Sequence, residues 1–408
     1  MSIIDAVTIR PVLPDELDEV ARLHTLGFGG DPHERVKWLS KNPRYNYSHI
    51  IVAQFKDQII GTTTVFPAQM WLSGVPVSVG AVAGVMVVPK FRRKGVASKM
   101  IGFGIVRMLA EGRAMSVLFP FSHKYYKKFG YGTVGNLHVY RINPANLIIF
   151  EEGRNVRPFE PSDLPMMRVM YKGQMTWHNG WFTRSNAWWD EIVARWPNIM
   201  VFDNEGMIEG YFSYEIKTAS RGERVLHVRE FFAAEDTALR GLIGYLAVQN
   251  DGDVIEYLAP PNTPLRHALH QPIADDARNR GWIFNDLCHI TPGPMARIIN
   301  LPAALTARFY TRGVSGERVL QVKDPLISTN EEPVQFRVVD GRPETHTGTS
   351  VEPHVQTDIL TISQILCGYL SAEDARLLGR LQADEATCSW LDRVIADMPL
   401  YIQAGDWF

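Results

Sequence analysis

Residues 14–28 read PDELDEVARLHTLGF. A proline opens the stretch, acidic residues fill its first turn, and apolar positions recur at helical spacing, which predicts a helix. The pattern then changes. SHIIVAQF (48–55), IIGTTTVF (59–66) and VPVSVGAVAGVMVV (75–88) are short runs rich in β-branched residues. Turn formers bound them, and they predict strands, with a hairpin turn between Lys56 and Gln58. AVTIRPV (6–12) and AMSVLFPF (114–121) add two strands, while VASKMIGFGIVRMLAEG (96–112) returns to the helical period and stops at Gly112. One strand, helices, several strands, a helix, a strand, a short helix and further strands predict an α+β (mixed α/β) domain with mixed pairing around a central site.

The pattern recurs. TIRPVLPDELDEVARL returns as NVRPFEPSDLPMMRVM, aligning Arg10 and Pro11 with Arg157 and Pro158, and Leu17 with Leu164. VAQFKDQIIGTTTV is echoed by MVFDNEGMIEGYFSY. Blocks repeated in the same order predict a duplicated domain, with a division near NPANLIIFEEGRN. A third region starts around TPGPMARIINLPAAL, where Pro292, Gly293 and Pro294 break the second unit. There, LTISQILCGYLSAEDARLLGRL predicts helix, break, helix, and EATCSWLDRVIADM another helix. RVLQVKD and VQFRVVD are strand-like, and DGRPETHTGTS is expected to be an exposed turn or mobile loop. The expected domains are 1–150, 151–291 and 292–408.

A chain of 408 residues is too long for one core, in keeping with this division. The net charge of −2 provides no overall field toward nucleic acid or anionic lipid, so any anion site must be local. Cys288, Cys367 and Cys388 fit no zinc or redox spacing, and their scarcity suits a reducing compartment. No metal site is expected. The opening residues lack the basic-then-apolar pattern of a signal peptide, and no segment approaches a membrane span. The expectation is a cytoplasmic protein with neither nucleic acid nor membrane as partner.

One segment carries chemistry. In VMVVPKFRRKGVASKM (85–100) an apolar run stops at Pro89, and Lys90, Arg92, Arg93 and Lys94 crowd the next five positions. A strand that passes through a glycine loop into a helix aims free backbone N–H groups at one spot, and the helix N-terminus adds partial positive charge. Gly95 permits close approach, Ala97 keeps the first turn thin, and the arginines charge the rim. That suits a pyrophosphate, although no Walker P-loop is present. A solvated basic turn and a nucleic-acid contact are the alternatives; neither accounts for the Gly-x-Ala inside the basic run.

This segment resembles the GCN5-related N-acetyltransferase pattern of strand, Pro, then Arg-x-x-Gly-x-Gly/Ala, and YYKKFGYG (125–132) resembles that family's Tyr-x-x-x-Gly-Phe/Tyr segment. The duplicated second domain, the third region and the terminal DWF narrow the resemblance to the Eis (enhanced intracellular survival) acetyltransferases. It implies a catalytic domain, a degenerate second copy and a sterol-carrier-protein-like C-terminal domain. It also implies acetyl-CoA as co-substrate. The backbone of Val85, Met86 and Val87 would pair with the pantetheine arm. Arg92 and the turn of Arg93, Lys94, Gly95, Val96, Ala97 and Ser98 would hold the pyrophosphate, and Phe121 and Ser122 would line the other side. In the second copy the matching loop reads FFAAEDTALRG, with Glu235 and Asp236 near where Arg92 and Arg93 should be, and carboxylates repel a diphosphate.

The implied reaction is direct attack of an amine on the thioester, which needs oxyanion stabilisation and a proton for the leaving thiolate. The resemblance makes Tyr126 the proton donor, with Tyr125 its structural partner; a phenol of pKa about 10 matches a thiolate of about 8.5. GAVAGVMVV has no ionisable side chain where many such enzymes carry a Glu. The resemblance supplies the C-terminal carboxylate of Phe408 as proton acceptor instead, and His123 is a second candidate. Phe28 and Trp38 are expected pocket walls. Trp407 stands where an acidic residue can bind cations, with Asp406 one position back, and Asp31 and Glu34 are further carboxylates able to attract an amine. The acceptor stays open between aminoglycosides, polyamines and protein lysine, and a non-enzymatic lipid- or partner-binding role is the alternative. The resemblance further implies a homohexamer, a trimer of dimers.

Overall fold

The computed structural model describes residues 3–220, 222–276, 285–395 and 398–408. Strands β1 (Val7–Pro11), β2 (Ile50–Phe55), β3 (Gln58–Leu72), β4 (Val75–Val87), β5 (Met115–Leu118) and β6 (Gly132–Thr133) build the first sheet. Helices α1 (Leu17–Phe28) and α2 (Pro32–Lys41) follow β1, α3 (Val96–Ala110) joins β4 to β5, and α4 (His123–Lys127) joins β5 to β6. The helical spacing read in the sequence places Leu17, Val20, Ala21 and Leu23 of α1 in the core.

After β6 the chain crosses to a second sheet, where β7 (Asn136–Ile142) pairs with β12 (Val254–Ala259) and β13 (His289–Pro292). The remaining strands there are β8 (Val156–Pro158), β9 (Asn198–Asn204), β10 (Met207–Thr218) and β11 (Arg224–Ala233), accompanied by α5 (Leu164–Gln174), α6 (Asn186–Arg195) and α7 (Asp236–Val248). The chain then returns, and β14 (Met295–Ile298) inserts into the first sheet between β5 and β6. The sheet orders are β1-β2-β3-β4-β5-β14-β6 and β13-β7-β12-β11-β10-β9-β8. The two units therefore exchange strands. β7 precedes the division expected at residue 150 yet belongs to the second sheet, and β14 follows the division expected at 291 yet completes the first.

The last region has β15 (Gly316–Lys323), β16 (Val334–Val339), β17 (Arg342–Thr347), β18 (Val355–Asp358) and β19 (Leu381–Gln382), with α8 (Leu301–Thr306), α9 (Ile359–Leu366), α10 (Ala372–Leu377) and α11 (Glu385–Val394). DGRPETHTGTS is largely strand, a correction to the expected loop. Val339 pairs with Arg342, and Asp340 and Gly341 take φ of +47° and +78°. Asp-Gly at the centre of a two-residue hairpin is the sequence best suited to that left-handed turn. The helix expected in EATCSWLDRVIADM forms as α11; residues 396 and 397 lie outside the described residues. Ile359, Ile362, Ile365 and Leu366 of α9 share one core with Val117, Ala296 and Ile298 of the first sheet. The buried Arg297 of β14 donates to the Phe129 carbonyl and pairs with Asp324 at 2.5 Å, tying this region to the residues that follow α4.

Candidate active site

β4 and β5 pair in parallel only from Val79 opposite Met115 to Val82 opposite Leu118. Beyond that they part. On its other edge β4 bulges, so that Thr63 of β3 faces both Gly84 and Val85 between the pairs Thr64–Ala83 and Thr62–Met86. Gly84 has φ +59°, and a Cβ there would lie 3.0 Å from two ring atoms of His24. Only glycine meets both demands at once. A bulge re-aims the strand after it, and Val85, Met86 and Val87 line a cleft of about 590 Å³.

The floor of the cleft is the turn into α3. Gly95 is the N-cap with φ +85°, and it offers no side chain to cap the helix. Among the described residues, the backbone N–H groups of Arg93, Lys94, Gly95, Val96, Ala97 and Ser98 have no partner. Lys99 is the first to find one, donating to the Gly95 carbonyl at 3.0 Å. Arg92 Nε donates to the Val87 carbonyl at 3.0 Å, which fixes the side chain against β4 and leaves its terminal nitrogens for a ligand. Arg92, Arg93 and Lys128 all line the cleft. The Lys128 ammonium lies 3.9 Å from the Tyr125 ring centroid and donates to Ser98 Oγ at 3.1 Å. Free amides, a helix N-terminus and three cations are the chemistry that a diphosphate requires.

Most residues singled out for the cofactor meet here: Val85, Met86, Val87, Arg92, Arg93, Gly95, Val96, Ala97, Ser98 and Phe121 line the cleft, and so does Phe28. Lys94 lies beside the Phe91 ring at 5.6 Å, outside the lining. Ser122 accepts from the Tyr125 N–H and caps α4. Tyr126 is 2 % exposed and stands behind Phe121 and Tyr125, with ring centroids 5.2 and 5.3 Å away. Burial first, then Tyr131 and Tyr125, push its pKa well above that of an ordinary phenol, so it stays protonated. His123 Nε2 is buried without a partner, and burial with Lys127 nearby lowers its pKa.

The chain end docks against β3 and the residue that follows β5. The Phe408 ring meets Phe119, the first residue beyond β5, at 5.6 Å and Phe66 of β3 at 5.3 Å. Tyr45 joins Phe66 to Trp38, at 5.8 and 4.8 Å, so an aromatic wall runs from α2 to the terminal residue. Arg44 donates to the carbonyls of Asp406 and Trp407 at 3.2 and 3.3 Å; burial, partly offset by Asp406, lowers its pKa to about 10.

Asp406 does not face the cleft, a correction to its expected substrate-binding role. Its side chain is 1 % exposed and accepts from Arg184 Nε at 3.0 Å, Trp188 Nε1 at 3.0 Å and Tyr171 Oη at 3.2 Å. A carboxylate so placed needs a cation, and Arg184 is that cation. Asp31 caps α2 through the Glu34 N–H at 3.0 Å, and Glu34 pairs with Lys37 at 2.7 Å. Sequence reasoning missed Gly27, Phe91, Lys128 and His24. Lys128 lies inside YYKKFGYG, next to the tyrosines. His24 is a polar residue on the apolar stripe of α1. It is 3 % exposed, its Nε2 has no partner, and burial, then Arg35, hold its pKa down at about 4.

The second sheet repeats the gap without the cradle. β11 and β12 pair in parallel from Val225–Val254 to Val228–Tyr257. Only Ala234 and Glu235 then connect β11 to α7, and Glu235 is the N-cap. A connection this short adds no glycine loop or basic side chain to the first-turn amides that any helix leaves free, and its charge is negative.

Family models of the acetyltransferase (GNAT) domain match residues 8–134 and 180–298, and a sterol carrier protein domain matches 301–403. N-acetyltransferase Eis of Mycobacterium tuberculosis is 26% identical over 355 residues, 80% of this chain and 83% of that protein. An uncharacterized N-acetyltransferase of Streptomyces griseus is 24% identical over 78% of this chain and 80% of that protein. A GCN5-related N-acetyltransferase from Anabaena variabilis superposes with TM-score 0.85 at 20% identity, covering 98% of this chain and 100% of that one. Eis1 from Mycobacterium abscessus gives 0.78 at 19%, covering 98% and 100%. Among the described residues, no helix is long and apolar enough to cross a membrane.

Proposed function

Because the chain belongs to the Eis family of GCN5-related N-acetyltransferases, it is an acetyltransferase acting on amines, and we propose the following site for it. The diphosphate of acetyl-CoA rests on the turn of residues 93–98 with Arg92, and its pantetheine arm lies along Val85, Met86 and Val87. The six unpartnered amides beside the free edge of β4 carry this reading, because they fit a diphosphate and have no other ligand within the fold. Acetyl-CoA, when bound, supplies the thioester that the amine attacks. The Phe408 carboxylate accepts the proton lost by the amine, directly or through water. Tyr126 holds a proton at Oη for the departing thiolate, and its elevated pKa keeps that proton in place at neutral pH. Trp38, Phe28 and the aromatic wall flank the acceptor.

Catalysis belongs to residues 1–150 completed by β14, with 151–291 as the degenerate copy and 292–408 as the sterol-carrier-like domain that delivers the chain end. Aminoglycosides, acetylated at several positions, are the first acceptor class to try, and polyamines and protein lysine the next. The same family reading carries a cytoplasmic homohexamer, a trimer of dimers, which sedimentation tests. The decisive assay follows free thiol released from acetyl-CoA against aminoglycosides, polyamines and lysine peptides. No turnover across the panel, with acetyl-CoA binding intact, rejects these acceptors.

A further inference from the structure

An ordinary chain end is frayed. This one crosses the second domain at its own strand gap. Tyr401 Oη donates to the Leu258 carbonyl on β12 at 2.9 Å, and the Gly405 N–H donates to Glu230 Oε2 on β11 at 2.9 Å. Glu230 lies two positions beyond Val228, the last residue of β11 in the parallel pairing, as Gly84 lies two beyond Val82 in β4. Where the first sheet has a glycine and an open cleft, the second has a carboxylate and the chain's own tail.

Glu230 and Asp406 share one guanidinium. Arg184 Nη1 and Nη2 donate to Glu230 at 2.9 and 2.8 Å, and Nη2 also reaches Asp406 at 2.9 Å. All three side chains are at most 1 % exposed. Tyr211 Oη donates to Glu230 at 2.5 Å. A second positive charge comes from Arg44 of the first domain, whose guanidinium carbon lies 3.5 Å from the centroid of the Trp188 ring. Both domains thus grip the residues just ahead of Phe408. Buried ion pairs of this kind often add no more stability than apolar residues of the same volume, but they fix geometry.

We infer that the strand gap of the second domain has become an anchor for the C-terminus. Arg184, Glu230 and Asp406 are positioning residues that hold the Phe408 carboxylate at the active site of the first domain. The inference rests on the reading of Phe408 as proton acceptor. The test compares Asp406→Asn, a one-residue glycine extension after Phe408, and the two combined. It measures kcat, KM and acetyl-CoA affinity, and the rate at which carboxypeptidase A releases Phe408 from chains without the extension. A misplacement near 1 Å costs roughly 100-fold. Asp406→Asn is therefore expected to lower kcat by about that factor with acetyl-CoA affinity unchanged, and to speed Phe408 release about tenfold or more. The combined variant is expected to be no worse than the extension alone, since both act on one group. Wild-type kcat in Asp406→Asn beside an inactive extension overturns the anchor and leaves the carboxylate reading standing. Full activity in a folded extension overturns both. Should Asp406→Asn not fold, Arg184→Lys keeps the charge but loses the fork; unchanged Phe408 release there overturns the anchor.

Discussion

Gly84→Ala tests the bulge that opens the cleft. Its φ of +59° lies in the left-handed region, where a side chain costs roughly 1–2 kcal/mol. The new Cβ would stand 3.0 Å from Cε1 and Nε2 of His24. That ring is 3 % exposed and meets Phe28 edge-on at 6.0 Å, so it has little room to give. Overpacking of this kind costs about 1–3 kcal/mol. The two terms sum to roughly 2–5 kcal/mol, and they separate in a double-mutant cycle. In a His24→Ala background the clash is gone and the strain remains, so Gly84→Ala should cost only about 1–2 kcal/mol there. Urea unfolding followed by tryptophan fluorescence, with coincidence checked by circular dichroism, measures all four proteins. A cost below about 0.5 kcal/mol in the wild type, or equal costs in both backgrounds, refutes the reasoning. Acetyl-CoA affinity should fall alongside, because Val85, Met86 and Val87 follow directly.

Three further outcomes are expected. Arg92→Ala and Arg93→Ala should each weaken acetyl-CoA binding about tenfold, the loss of roughly one charge-assisted hydrogen bond; calorimetry giving wild-type affinity for both would remove the arginines from the site. Calorimetry should also count one acetyl-CoA per chain, since Glu235 is the N-cap of α7 and Asp236 opens it, where a diphosphate would be repelled; two per chain would make the second domain a binder. Native His24 titrates at about 4 against 6.5 for a free imidazole. The unfolded chain therefore takes up the proton first as pH falls. Stability present above pH 6.5 should decline by about 3 kcal/mol between 6.5 and 4. His24→Gln should flatten that decline in urea midpoints taken from pH 7 to 4, and parallel curves would reject the assignment.

The turn proposed for the cofactor could be read as one unit because its residues are contiguous: the strand end, basic run, glycine and helix start lie within sixteen residues of one another. Features that depend on distant partners were not. Asp406 looks like a free carboxylate until Arg184, 222 positions away, is seen to hold it. β7 and β14 carry ordinary strand patterns, and nothing local in them says which sheet they will join. The hairpin at Asp340 and Gly341 was readable from its turn residues, but polar alternation on an exposed edge strand disguised it. His24 was visible as a polar break in an apolar stripe, and only the bulge at Gly84 gives that break a neighbour.

Strand exchange also sets an order of events during synthesis. β5 and β6 emerge within the first 133 residues, yet the strand between them spans Met295–Ile298. At roughly 5–20 residues per second, a ribosome needs about 8–30 s to deliver it. Until then the first sheet has a slot at its edge, and the loop that fills it encloses a whole domain. Long closures of this kind slow folding and leave a strand edge open to wrong partners. A chain cut short before β14 has every residue of the proposed phosphate cradle and no closed sheet to carry it.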